Sequence, residues 1–218
     1  MSKKLIIIEG LDGSGKTVQL DLLKKDYLHC RFITFPNYRS PSGQIVKNYL
    51  EEKYKEDNDT VSAYTASCFY AVDRYTSYKT DWEKDYSAEI PIFSARYVSS
   101  NAIYQMTKLP KESWDEYMEW LFDTEYGKFA IPKPTGTIFL DMPVDVSRKL
   151  LLKRYSGDEK KLDLHESNLD FMRKCREAAM YVAEKENWRI IKCSENSEPL
   201  PVDVIHEKIK KEVEDLLK

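Results

Sequence analysis

The chain has 218 residues, enough for one α/β domain with a sizeable core, and its 34 basic and 37 acidic residues leave a net charge of −3. No basic block marks a nucleic-acid groove, and no apolar run approaches the ~20 residues that span a bilayer. Four widely spaced cysteines (Cys30, Cys68, Cys175, Cys193) without a CxxC pair, and three isolated histidines, argue against a disulfide framework or a metal site. They predict reduced, mostly buried thiols and a cytoplasmic protein. No secretory leader is expected, because residues 5–8 lead straight into a glycine-rich loop.

Leu5-Ile6-Ile7-Ile8 reads as a buried strand over residues 5–9, and Val18, Leu20, Leu22 and Leu23 recur at helical spacing. Between them lies Gly10-Leu11-Asp12-Gly13-Ser14-Gly15-Lys16-Thr17. A strand, a glycine-rich loop and a helix in that order make a phosphate-binding loop. Gly10, Gly13 and Gly15 let backbone N–H groups turn inward around an anion, and the helix adds its positive dipole end. The amides from Gly13 through Ser14 and Gly15 to Thr17, with the Lys16 ammonium, are candidates for ATP phosphates. The Thr17 hydroxyl is the candidate ligand for Mg²⁺.

Further strands are expected at residues 32–35, 90–94, 136–141 and 189–193, all short and apolar, as strands covered on both faces are. Helical patterns fill the gaps. Pro41-Ser42-Gly43 opens a helix through about Glu52, and Asp59-Thr60 caps the next, through about Tyr78. Residues 98–106 form another, and 114–127 a helix ended by Gly127. Residues 143–154 and 168–186 follow, and Val202, Ile205, Ile209, Val213 and Leu216 mark a C-terminal core helix. Residues 155–166 are charged and carry Gly157, a surface loop between two helices. The alternation and the phosphate-binding loop predict an α/β fold of the P-loop NTPase type: a parallel five-stranded sheet with helices on both faces.

In open parallel sheets ligands sit beyond the C-terminal strand ends. Those ends carry Glu9 and Asp12, then Phe35-Pro36-Asn37-Tyr38-Arg39, then Ala95-Arg96-Tyr97. Tyr70 and Arg74 share a helix face at i and i+4, where an aromatic can stack a base and an arginine pair a phosphate. The alternative for Arg74 is an ion pair with Asp73 or a neighbouring acid.

With these residues in place the chain resembles the thymidylate kinase family, P-loop nucleoside monophosphate kinases that phosphorylate dTMP with ATP. The carriers are Glu-Gly-Leu-Asp-Gly-Ser-Gly-Lys-Thr at 9–17, Phe-Pro at 35–36, Asp-Arg at 73–74, Arg-Tyr-Val-Ser-Ser-Asn-Ala-Ile-Tyr-Gln at 96–105 and Leu-Asp at 140–141. The resemblance implies a dTMP site of Asp12, Phe35, Arg39, Tyr70, Arg74, Arg96, Ser100, Asn101, Tyr104 and Gln105. In it Asp12 holds the 3′-hydroxyl, Tyr70 stacks on thymine and Arg74 and Arg96 hold the acceptor phosphate. Asn101 reads the polar edge of the base, helped by Ser100 and Gln105, and Tyr104 crowds the 2′ position. It also implies catalysis by Lys16, Arg96 and a lid arginine, Mg²⁺ as cofactor, and a homodimer. In a lid spanning about 153–166, near Lys153, Lys160 and Lys161, Arg154 is the candidate for that arginine, and Arg148 its rival. One departure stands out: the family carries Asp before the Arg-Tyr pair, where this chain has Ala95. Two other readings stay open: a kinase with another deoxynucleotide or deoxynucleoside acceptor, and a nucleotide-binding protein with impaired turnover.

Overall fold

Alternation along the first strand sets the architecture. In the computed structural model, which describes residues 3–54, 61–154 and 168–218, β1 (Leu5–Gly10) is buried along its whole length. Successive side chains of a strand point to opposite faces. Leu5 and Ile7 enter one hydrophobic core, Ile6 and Ile8 the other. A run of four aliphatics is what a strand needs when helices cover both of its faces, each buried side chain contributing about 1.5–3 kcal/mol.

The sheet runs in the order β2 (Arg31–Thr34), β3 (Ile92–Ala95), β1, β4 (Gly136–Asp141) and β5 (Arg189–Lys192), with every neighbouring pair parallel. The register pairs Ile8 with Ala95 and Gly10 with Leu140, so the strand ends that carry the candidate site lie at one edge. From β1 the chain crosses outward to β2, whereas from β3 it crosses over β1 to β4. The connections therefore diverge beyond β1 and β3, and that crevice is where an open α/β sheet binds ligands.

The helices are α1 (Lys16–Asp26), α2 (Pro41–Leu50), α3 (Ala63–Ser77), α4 (Glu83–Ser87), α5 (Val98–Tyr104), α6 (Trp114–Phe122), α7 (Val144–Arg154), α8 (Leu169–Lys185) and α9 (Val202–Leu217). On one face α1 and α9 bring Leu20, Leu23, Ile205, Ile209 and Val213 against Ile6, Ile8 and Phe93. On the other α5, α6 and α8 pack Val98, Tyr117 and Val182 around Leu5, Ile7 and Ile92.

The structure corrects several local expectations. α3 starts at Ala63 under a Ser62 cap, whose Oγ accepts from Thr65 N at 3.1 Å; the expected Asp59-Thr60 cap lies outside the described residues. Gly127 does not end its helix. α6 passes into a π-helical turn, Asp123–Lys128, and the left-handed position falls on Ala130 (φ 52°). β3 extends to Ala95, which places that residue inside the strand. The stretch between α3 and β3 forms a second π-helical turn, Tyr78–Trp82, and then α4. It buries Trp82 completely, its ring 4.7 Å from Tyr78 and 6.1 Å from Tyr86 between centroids. After β5 a two-stranded ribbon, β6 (Ser194–Glu195) and β7 (Glu198–Pro199), turns at Asn196 and Ser197, both at positive φ. Of the expected lid, residues 155–166 lie outside the described residues.

Candidate active site

The loop after β1 is shaped by positive φ angles at Gly13 (76°) and Gly15 (88°). A side chain at Gly13 would also meet Ser147 O at 2.8 Å. Gly15 caps α1, so the free N–H groups of the helix face the loop. Lys16 Nζ donates to Gly10 O at 2.5 Å and Leu11 O at 2.8 Å. Ser14 Oγ is buried without a hydrogen-bond partner among the described residues. The loop walls a cavity of ≈160 Å³ with Lys16, Thr17, Thr34, Ala95 and Arg96 around it.

Arg96 follows β3 in the left-handed region (φ 64°), a conformation that costs a non-glycine residue about 1–3 kcal/mol. Its partners explain how it is held there. Arg96 N donates to Ile8 O at 3.3 Å, and Ser94 Oγ donates to Arg96 O at 2.7 Å. Beneath it Glu9 Oε1 accepts from Tyr97 N (3.3 Å), Ser99 Oγ (2.7 Å) and Ser100 Oγ (2.7 Å), pinning the start of α5. The Arg96 guanidinium pairs with Asp12 and lies 5.1 Å from the centroid of the Tyr104 ring. Burial works against its charge, but Tyr104, Asp12 and Glu9 hold it well above the ordinary arginine range. Tyr104 Oη donates to Asp12 Oδ2 at 3.4 Å, and burial keeps that phenol neutral.

A second cavity, of ≈330 Å³, opens on the other side of Asp12 and Arg96. Phe35, Tyr70, Arg74, Ser100, Asn101, Tyr104 and Gln105 line it, together with Pro36, Tyr38, Leu50 and Tyr97. Arg39 is not among them; the preceding Tyr38 is. Ser100 turns its hydroxyl to Glu9, and Gln105 Oε1 accepts from Tyr49 Oη at 3.2 Å. Burial pushes the Tyr70 hydroxyl up, which leaves a neutral ring.

Arg74 differs most from expectation. It is buried, and its partner is Glu125 on the π-helical turn, with Nε to Oε2 and Nη2 to Oε1 both at 2.6 Å. Burial works against the Arg74 charge and the Glu125 carboxylate more than offsets it. On Glu125 burial acts most strongly and pushes the carboxyl up, opposed by Arg74. Asp73, one of the alternative partners for Arg74, instead accepts from Asn37 N (2.8 Å), Ser40 Oγ (3.0 Å) and Ser42 Oγ (2.9 Å), and so ties the loop after β2 to α3.

Sequence reasoning missed Glu125, Tyr38, Leu50 and the loop-holding part of Asp73. It also missed Arg176 on α8, whose fork grips Asp141 at the end of β4 with bonds of 2.7 and 2.9 Å. An acidic residue on an apolar helical pattern, as Glu125 is, was the available signal. Arg154 ends α7, and its side chain lies outside the described residues.

Among the described residues no three His, Cys, Asp or Glu side chains gather to hold a metal. Mg²⁺ in a nucleotide site takes one or two protein oxygens, phosphate oxygens and waters. The Thr17 hydroxyl at the phosphate-loop cavity is such an oxygen. Glu9 lines neither cavity, and Ala95 brings no carboxylate to the wall it forms.

The family model for thymidylate kinase matches residues 8–209. A probable thymidylate kinase of Pyrobaculum aerophilum is 28% identical over 91% of this chain and 93% of its own length. A thymidylate kinase of Clostridium novyi is 28% identical over 94% of this chain and 95% of its own. Among solved structures, a thymidylate kinase from Candida albicans superposes with a TM-score of 0.71 at 22% identity, covering 98% of this chain and 92% of that one. One from Ehrlichia chaffeensis gives 0.65 at 16%, covering 98% and 100%.

Proposed function

The chain belongs to the thymidylate kinase family, and from that premise we propose that it phosphorylates dTMP to dTDP with ATP and Mg²⁺. The observation that carries this reading is that the two cavities adjoin. The phosphate-loop cavity and the larger, aromatic-lined one share Asp12 and Arg96 as a common wall. A triphosphate on the first and a monophosphate in the second meet across it.

Chemistry there is positioning and charge neutralisation, because the acceptor phosphate oxygen is itself the nucleophile and needs no general base. The amides of Gly13 to Thr17 and the Lys16 ammonium bind the ATP phosphates. Arg96 faces both cavities and steadies the transferring group; Arg154 supplies a second guanidinium. Thr17 would hold Mg²⁺, which would neutralise charge on the nucleotide phosphates. In the acceptor cavity Tyr70 stacks the base, Asn101 reads its edge, and Tyr104 and Asp12 face the sugar. Phe35, Ser100 and Gln105 complete the wall.

Among the described residues no helix is long and apolar enough to cross a membrane. We place the enzyme in the cytoplasm, as a homodimer. ADP release, coupled to an indicator reaction and measured across dTMP, dUMP, dCMP, purine monophosphates and thymidine, tests the reading. Turnover of thymidine above dTMP, or of another monophosphate above dTMP, refutes it. One observation favours a modified reading, in which both nucleotides bind but turnover is slow: Ala95 forms the wall of the phosphate cavity.

A further inference from the structure

Glu125 stands one layer behind the acceptor cavity, wholly buried, and it touches two of the residues that line it. Its Oε1 accepts from Arg74 Nη2 at 2.6 Å and from Asn101 Nδ2 at 3.5 Å; its Oε2 accepts from Arg74 Nε at 2.6 Å. Asn101 Nδ2 also donates to Ser67 O at 3.3 Å. Both partners of that amide nitrogen, a carboxylate and a backbone carbonyl, are acceptors only. Rotating the amide by half a turn would set its oxygen against two other oxygens. The nitrogen is therefore fixed toward Glu125 and Ser67, and Oδ1 is the atom left for the cavity. Arg74 can only donate. Its bonds to Glu125 and to Tyr97 O (3.3 Å) engage Nε, Nη2 and Nη1 once each, and a guanidinium has five N–H groups.

The floor of the cavity thus offers one acceptor, Asn101 Oδ1, beside a donor, Arg74. A 4-oxo pyrimidine has the matching edge, with N3–H to give and the C4 oxygen to receive. A 4-amino pyrimidine has the reverse, a bare N3 and an N4 amine, and mismatches at both atoms. We propose that Glu125 is a specificity-determining positioning residue: by fixing the Asn101 amide it makes the site take 4-oxo pyrimidine nucleotides and refuse 4-amino ones. The proposal deepens the dTMP kinase reading and rests on its assignment of the base to this cavity.

The test is calorimetric titration with dTMP and with dCMP, independent of turnover, on the full-length protein. The native protein should bind dTMP at least ~10-fold more tightly than dCMP, since a site built to hydrogen-bond one edge rejects the other. Glu125→Gln turns one acceptor into a donor beside the Asn101 amide, and that preference should fall by ~10-fold or more. Glu125→Asp guards against a variant that does not fold. It keeps the charge for Arg74, whose fork can follow, while withdrawing from an amide already 3.5 Å away, and it too should lose preference. Because Glu125 acts through Asn101, adding Glu125→Gln to Asn101→Ala should lower the preference no further than Asn101→Ala alone. An ATP affinity within about twofold of native in each variant marks the effect as local. Equal binding of dTMP and dCMP by the native protein, full preference in both Glu125 variants, or additive loss in the double variant overturns the proposal. A native protein that prefers dTMP in titration but phosphorylates no monophosphate overturns the kinase reading and leaves this one standing.

Discussion

Gly43 is where a single methyl group should separate acceptor binding from ATP binding. It lies in the first turn of α2, and its N–H donates to the Ser40 cap at 2.9 Å. A Cβ at this position would stand 1.8 Å from Asn37 O, 2.4 Å from Asn37 C and 2.9 Å from Tyr38 N. All three are backbone atoms, so no side-chain rotation relieves the clash. Helix and loop must part by roughly 1.5 Å to reach ordinary contact. The loop is tethered by Asn37 N to Asp73 at 2.8 Å, and its Tyr38 lines the acceptor cavity, so the displacement is passed to the site. Overpacking of this kind costs about 1–3 kcal/mol, or about 2–12 °C in Tm for a domain of this size. A misplacement near 1 Å can cost up to ~100-fold in catalysis, and we expect Gly43→Ala to raise KM for dTMP by ~10-fold or more. KM for ATP should stay within about twofold, since the phosphate-loop cavity shares none of these atoms. Gly127→Ala is the control: its Cβ would meet the movable Asp123 Oδ1 at 2.9 Å in a helical turn of negative φ. It should be neutral or gain about 0.5–1 kcal/mol. Steady-state kinetics in each substrate and a thermal melt decide the matter. An unchanged dTMP KM with an unchanged Tm in Gly43→Ala would refute the reasoning.

Ala95→Asp returns a carboxylate to the wall of the phosphate cavity; we expect kcat to rise and the Mg²⁺ needed for half-maximal rate to fall by about 10–100-fold, with dTMP affinity little changed. A Mg²⁺ titration of rate at saturating substrates checks this, and equal or slower turnover would show that the chain manages without that carboxylate. Arg154→Ala should lower kcat by ~10³ with ATP affinity far less affected, and Arg148→Ala should do less; single-turnover rates beside equilibrium binding test the pair, and swapped effects would move the role to Arg148. Burial pushes the Cys193 thiol up to about 12 and raises Cys175 as well, so both stay protonated and shielded at mildly alkaline pH. Mass spectrometry after brief iodoacetamide treatment of the native protein should therefore find label on exposed Cys68 and part-exposed Cys30 only.

What the sequence made legible was chiefly what is local. The glycine loop, the aliphatic run of β1 and the bounds of β4 follow from residues next to one another, and so did the crevice that the strand ends surround. The partner of Arg74 was not legible, because Glu125 is far along the chain and reaches it only through the packing of α6 on α5. The Arg74 alternatives considered neighbours such as Asp73, but burial chose an acid that desolvation would otherwise penalise. Tyr38 rather than Arg39 lines the cavity because Asp73 sets the path of that loop, again a tertiary contact. The segment around Trp82 could have been found: Tyr78, Trp82 and Tyr86 fall at steps of four and make one aromatic helix face. Gly127 misled because a glycine normally ends a helix, whereas here the chain winds on and Ala130 takes the reversal.

The bond between Arg96 N and Ile8 O has a consequence of its own. It continues the ladder that joins β3 to β1 beyond the last paired residues of the strand. The glycine loop leaves β1 two residues after that rung, and Arg96 sits on it. Under the proposed reading, the gap that a phosphoryl group would cross is therefore gauged by main-chain hydrogen bonds, whose spacing no side chain alters. Substitutions among the side chains around it can change affinity and preference and still leave that gauge in place.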